Sequence, residues 1–214
     1  MIEAITLEQG RRGLVARRGR DREVLQPFRS LRLSWAGRGE LPTVTAVEAV
    51  ELPLALVGEP LLCGFYLNEL LVRLVPRQDP CPAIFQLYQQ TLINLAKGAH
   101  QEEALRCFEV ALLRELGYGL PLEQGADGQP IQPADRYHYH WELGARPALA
   151  LDRGSLVVSG RTLLGLAAGQ LPDETTRAEA KRVTRAALAV HLGDRPLHSR
   201  NLYRDFLRLR DRNT

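Results

Sequence analysis

Cysteine is scarce: Cys63, Cys81 and Cys107 are the whole complement, an odd number with no C-x-x-C pair. That excludes a disulfide framework and a four-cysteine zinc site. Long apolar runs are missing too. The greasiest windows, Leu52–Gly58 and Leu61–Leu67, are short and separated by Glu59, well under the ~18 residues of a membrane span. The first twenty residues hold Glu3, Glu8 and five arginines where a signal peptide needs an apolar core. No Gly-x-Ser-x-Gly, Walker lysine loop or Gly-x-Gly-x-x-Gly occurs, so no motif argues for an enzyme. With 45% apolar residues in 214, the expectation is a cytosolic protein of one or two domains with a real core.

Lysine is almost absent, with Lys97 and Lys181 the only two among 28 basic residues. The formal net charge of +3 hides a strong segregation. Residues 1–40 carry nine arginines against five acids, residues 41–176 nine basic against sixteen acidic, and residues 177–214 ten basic against four acidic. Both ends are basic and the middle is acidic. Arginine's planar fork suits phosphate, which favours nucleic acid as a partner.

The first fifty residues read as short strands. Leu31, Leu33 and Trp35 alternate with Arg32 and Ser34, Gly37-Arg38-Gly39 turns the chain, and Val44 and Ala46 continue the period of two. Gly13–Ala16 is a weaker strand between arginines. After Pro53 the period becomes helical. Cys63, Leu67, Leu70, Leu71 and Leu74 predict a central helix over 61–75, Ile84 to Leu95 a second, and Leu105 to Leu116 a third closed by Gly117. From 120 to 158 the pattern predicts an irregular insert with Tyr137-His138-Tyr139-His140-Trp141 and a strand at Leu149–Leu151. Ser159 caps a short helix over 162–168. Thr176 and Glu179 read as a capping box for a helix ending at Gly193, and Ser199 as the cap of a last helix.

Four constellations could carry chemistry. Arg11, Arg12, Arg17, Arg18 and Arg20, with Arg22 beyond, stand on a glycine-punctuated turn that can track a sugar-phosphate backbone without reading sequence. Only Phe28 and Trp35 supply aromatic rings in that region, so a stacking platform there is poorly supported. The C-terminal helices carry Lys181, Arg182, Arg185, Arg200, Arg204 and Arg208, a phosphate-contacting face or a dock for an acidic peptide. His138 and His140 share one strand face and could hold a metal, but no third ligand completes the set. Cys63 and Cys107 fall on apolar helix faces, where an inert role is the default.

Several blocks resemble the RecO family of DNA repair proteins. They are Leu25–Phe28, Gly37–Leu41, Ala46–Val50, Gly64–Leu71, Leu105–Glu109 through Leu116–Gly119, Ala180–Arg185 and Pro196–Arg200. The resemblance runs from about Gly10 to Phe206 and is weak across 120–158. It implies an α+β fold, with an OB-type β-barrel over 1–52 and an all-α domain over 53–214. It also implies that roughly twenty residues supplying the first barrel strands precede Met1 in relatives, so that either the start is misassigned or the barrel here is incomplete. The implied role is a non-catalytic, cofactor-free recombination mediator of the bacterial nucleoid. Such a protein binds single- and double-stranded DNA, anneals complementary strands and grips the acidic tail of single-stranded-DNA-binding protein. With RecR it then helps RecA load. Arg106 occupies the position expected to meet the tail's terminal carboxylate. Residues 119–160 contain no cysteine, so the zinc module of some relatives is not expected. Two rivals stand beside this reading: an adaptor that docks proteins but not DNA, and a metal-dependent nuclease built on His138 and His140.

Overall fold

The computed structural model describes residues 1–16, 21–98, 100–148 and 156–212. In chain order these form β1 (Ile2–Thr6), β2 (Gly10–Leu14), α1 (Asp21–Val24), β3 (Leu31–Ala36), β4 (Thr43–Ala49), α2 (Glu59–Leu74), α3 (Pro82–Ala96) and α4 (Gln101–Glu115). There follow β5 (Arg136–His140), β6 (Gly144–Pro147), β7 (Val157–Ser159), α5 (Gly160–Ala168), α6 (Glu174–Leu192) and α7 (His198–Arg212). The class is α+β, as expected. The chain gathers into two compact units, residues 1–99 with 196–214, and residues 100–195.

In the first unit β1 and β2 make an antiparallel hairpin, and β3 and β4 a second one with a bulge at Ser34/Trp35. Val15 links the two. Its N–H donates to Pro42 O and its carbonyl accepts from Val44 N, both at 2.9 Å. Among the described residues the strands form two two-stranded sheets, with no strand between the outer edges of β1 and β3. Those edges border a cleft of about 810 Å³, floored by Phe28, Leu54, Leu71, Phe85 and Leu92. Helix α2 buries Leu62, Leu67, Leu70 and Leu71, the face that the 3.6-residue period marks. Gly64 is a seat on it: a Cβ there would lie 2.9 Å from the Phe28 ring, which packs 5.3 Å from Phe65.

Helix α7 belongs to this unit and is fastened to α2. Glu69 accepts from His198 N (2.8 Å), Ser199 N (2.8 Å) and Ser199 Oγ (2.6 Å). Ser199 therefore does not cap α7, contrary to expectation. It lies inside the first turn and donates, while the capping oxygens come from a carboxylate on another helix, which satisfies orphan N–H groups equally well.

The second unit packs α4, α5 and α6 with a three-stranded antiparallel sheet ordered β6-β5-β7. Its core joins Leu122, Ile131, Tyr137, Tyr139, Val158, Leu163, Leu166 and Val183. Ser159 caps α5 as expected, accepting from Thr162 N. The capping box of α6 sits one turn earlier than expected: Asp173 accepts from Thr176 N, and Thr176 Oγ1 from Asp173 N. Glu179 is instead buried, accepting from Ser159 N, Ser159 Oγ and Thr162 Oγ1 at 2.7–2.8 Å. It ties β7 and α5 to α6. The strand expected at Leu149–Leu151 lies outside the described residues.

Candidate nucleic-acid interface

The first hairpin sorts its arginines by face. Side chains alternate along a strand, so neighbours in sequence point apart. Glu3 stands opposite Gly13, which makes Arg11, two residues on, its diagonal neighbour on the same face. Arg11 Nη1 lies 2.9 Å from Glu3 Oε2, and its Nε donates to Val75 O at 2.8 Å. Arg77 reaches the same carboxylate. Arg11 is thus a structural cation, half sunk and neutralised. Arg12, on the other face, puts its guanidinium 6.0 Å from the Trp35 ring centroid. Arg17, Arg18 and Arg20 lie outside the described residues.

The C-terminal set divides between the units. Arg200 and Arg204 ride on α7 in the first unit, where Arg204 donates to Asn201 Oδ1 and Arg208 pairs with Asp205 at 3.7 Å. Lys181, Arg182 and Arg185 ride on α6 in the second. There Lys181 Nζ meets Glu102 Oε1 at 3.5 Å, Arg182 donates to Val157 O at 3.3 Å, and Arg185 stands exposed. Arg12, Arg182, Arg200 and Arg204 have no acidic partner among the described residues. The first unit carries 17 basic against 12 acidic residues and the second 11 against 13. The N-terminal basic segment and the α7 part of the C-terminal one therefore share one cationic unit, while Lys181, Arg182 and Arg185 belong to the other.

Arg106 is only 6% exposed on α4, with Nη2 2.6 Å from Oε1 of the fully buried Glu109. Its Nε is buried and has no hydrogen-bond partner, an expensive state for a charged donor. Cys107, one residue on, has its thiol pushed up by burial and by Glu103, as suits an inert sulfur. His140 Nδ1 accepts from Glu142 N (3.3 Å) and Leu143 N (3.4 Å), closing the β5–β6 turn. Among the described residues no three His, Cys, Asp or Glu side chains gather to hold a metal ion.

Two carboxylates act as organisers that the sequence reading missed. Burial pushes Glu69 up, but its bonds from Ser199 and His198 outweigh that and leave it below the usual carboxylate range. Burial likewise raises Glu179, and donors on Ser159 and Thr162 with Arg136 nearby outweigh it and hold this carboxyl below its usual range too. Both tie elements far apart in sequence, and no local pattern marks such a partner.

Comparison with known proteins decides the family. The model of "Recombination protein O C terminal" matches residues 58–201. The chain is 45% identical over 215 residues to the DNA repair protein RecO of Nitrosococcus oceani, covering 98% of this chain and 87% of that protein. The chain belongs to the RecO family. The RecO protein of Methylococcus capsulatus is 45% identical over 210 residues, covering 95% of this chain and 86% of its own length. That of Pseudomonas aeruginosa is 45% identical over 186 residues, covering 87% and 79%. RecO proteins are non-enzymatic mediators of DNA repair and recombination. Among the described residues no helix is long and apolar enough to cross a membrane.

Proposed function

We propose that this RecO-family chain binds single- and double-stranded DNA, anneals complementary strands and docks the acidic, phenylalanine-ended tail of single-stranded-DNA-binding protein. With RecR it then promotes RecA loading. In this reading residues 1–52 belong to an OB-type β-domain and 53–214 to a helical domain with a strand-bearing insert at about 120–158. One observation supports the barrel: Val15 links the two hairpins through backbone hydrogen bonds to Pro42 and Val44.

The observation that carries DNA binding is that Arg12, Arg200 and Arg204, without acidic partners among the described residues, all belong to a unit of net +5. Arg17, Arg18 and Arg20 add to the same unit's charge, and Lys181, Arg182 and Arg185 offer phosphate contacts on α6. Cations that neutralise phosphates of two strands release counterions and lower the repulsion between the strands. For the tail, the partnerless Nε of Arg106 is a buried donor that a carboxylate would satisfy.

The test is fluorescence anisotropy with labelled single and duplex oligonucleotides over a salt series. Affinity falls steeply with salt, and Arg12→Ala or Arg204→Ala each lowers the log–log slope by about one. A salt-insensitive binding constant refutes it. The neutralisation of Arg11 by Glu3 and of Lys181 by Glu102 favours the second reading, an adaptor that docks proteins only. A gel shift with bare single-stranded DNA separates the two.

A further inference from the structure

The sequence Tyr137–Trp141 is unused by the reading above, yet its last two rings are part of an assembled structure in the second unit. Tyr118, His191, Trp141 and His140 come from three elements. Tyr118 is fixed by a Schellman turn: Gly117 N donates to Arg114 O (3.0 Å), Tyr118 N to Leu113 O (2.8 Å), and Gly117 holds φ +86°. A residue with a Cβ at Gly117 would be strained there, so the glycine after α4 aims the tyrosine. His191 lies in the last turn of α6. Its ring is 3.9 Å from that of Tyr118, tilted by 24°. Trp141, at the tip of the β5–β6 turn, sets its edge against His191 at 5.6 Å and lies near-parallel to His140 at 5.9 Å and 27°. His140 is itself pinned by the two turn amides it accepts from.

These rings are not the unit's core, which Tyr137, Tyr139 and the aliphatic cluster already supply. Tyr118 remains 49% exposed and His140 is exposed. We propose that the four rings form a stacking platform for unpaired bases of single-stranded nucleic acid, an inference that rests on the DNA-binding reading and assigns it a second contact. A base offers a flat π-face to continue near-parallel rings. Its polar edge can stay hydrated where the exposed Tyr118 and His140 meet solvent. Arg114, 71% exposed in the last turn of α4, supplies a cation four residues before the tyrosine. Its pair with Glu115 at 3.3 Å is a surface one and is readily exchanged for phosphate. The first unit would then hold the strand by charge and the second by stacking. Stacking requires splayed bases, so it discriminates single strands from duplex.

The chain has two tryptophans, so Trp35→Phe leaves Trp141 as the sole reporter in the full-length protein. Its emission is expected to quench on titration with oligothymidylate and to stay unchanged with duplex. Trp141→Leu and Tyr118→Leu are each expected to weaken single-strand binding about 5- to 150-fold, the range for one lost stacked base. The salt slope and duplex affinity stay as they were. Tyr118→Phe keeps the ring and the affinity, which separates stacking from a folding defect. A silent Trp141 while anisotropy reports bound strand overturns the platform and leaves the DNA-binding reading intact. A Trp141 response to an acidic phenylalanine-ended peptide but not to oligothymidylate overturns it in favour of a protein partner. Binding of no DNA at all overturns both.

Discussion

Replacing Glu69 by alanine tests whether a single carboxylate holds α7, and with it two of the arginines proposed to meet phosphate. Three hydrogen bonds at 2.6–2.8 Å join it to the first turn of that helix. Bonds to a charged group contribute about 1.5–3 kcal/mol, and deletion of a helix cap costs about 0.5–2 kcal/mol. The two figures describe the same contact from opposite sides, so we expect a loss of about 2–3 kcal/mol rather than their sum. The loss should be local: amide exchange across residues 198–212 accelerates, because the first turn of α7 loses its tether to α2, while Tyr203 and Arg210 further along still reach Glu59. The pH dependence has a fixed sign. The folded carboxylate titrates below its ordinary value of 4.5, so its stabilisation is full above that pH and is lost as the pH falls through the folded value. Wild type and Glu69→Gln therefore converge in stability in acid. Urea midpoints together with hydrogen exchange at several pH values decide the matter. Unchanged protection of 198–212 in Glu69→Ala, or a gap that widens towards acid, would refute the reasoning.

Glu179→Ala removes the acceptor for Ser159 N, Ser159 Oγ and Thr162 Oγ1. Thermal denaturation should show a cost of about 3 kcal/mol near neutral pH that fades below pH 4.5, by the same linkage. Arg106→Ala removes the cation paired with the buried Glu109 carboxylate, which by itself costs about 3–5 kcal/mol. The tail-docking role is better read from Arg106→Gln/Glu109→Gln. This double variant should fold, yet bind a labelled tail peptide about 10- to 150-fold more weakly, the equivalent of about 1.5–3 kcal/mol for one charge-assisted bond; unchanged anisotropy removes Arg106 from the site.

What the sequence made legible follows from the range of each signal. The helices of 61–75, 84–95 and 105–116 were readable because a 3.6-residue period is local, and Gly117 because a left-handed cap is a one-residue requirement. The α6 cap was misjudged because Asp173-x-x-Thr176 and Thr176-x-x-Glu179 both satisfy the pattern, and only the buried donors on Ser159 and Thr162 claim Glu179. The anchoring of Ser199 by Glu69 spans 130 residues, and the platform joins Tyr118 to His191 across 73; neither leaves a periodic trace.

The arginines give the sharpest case, because Arg11 and Arg12 are identical to composition and to a local charge count. Their fates diverge once β1 exists, since the pairing of Glu3 with Gly13 brings Glu3 beside Arg11 and leaves Arg12 on the other face. The stretch Ile2–Thr6 has too weak an alternation to announce that strand, so the pairing could not be inferred from spacing. A cluster of arginines therefore sets an upper bound on the phosphate contacts a surface can make, and strand register then subtracts from it. In this chain the subtraction falls on Arg11, which makes Arg12 the residue of the described hairpin whose removal should change the salt slope.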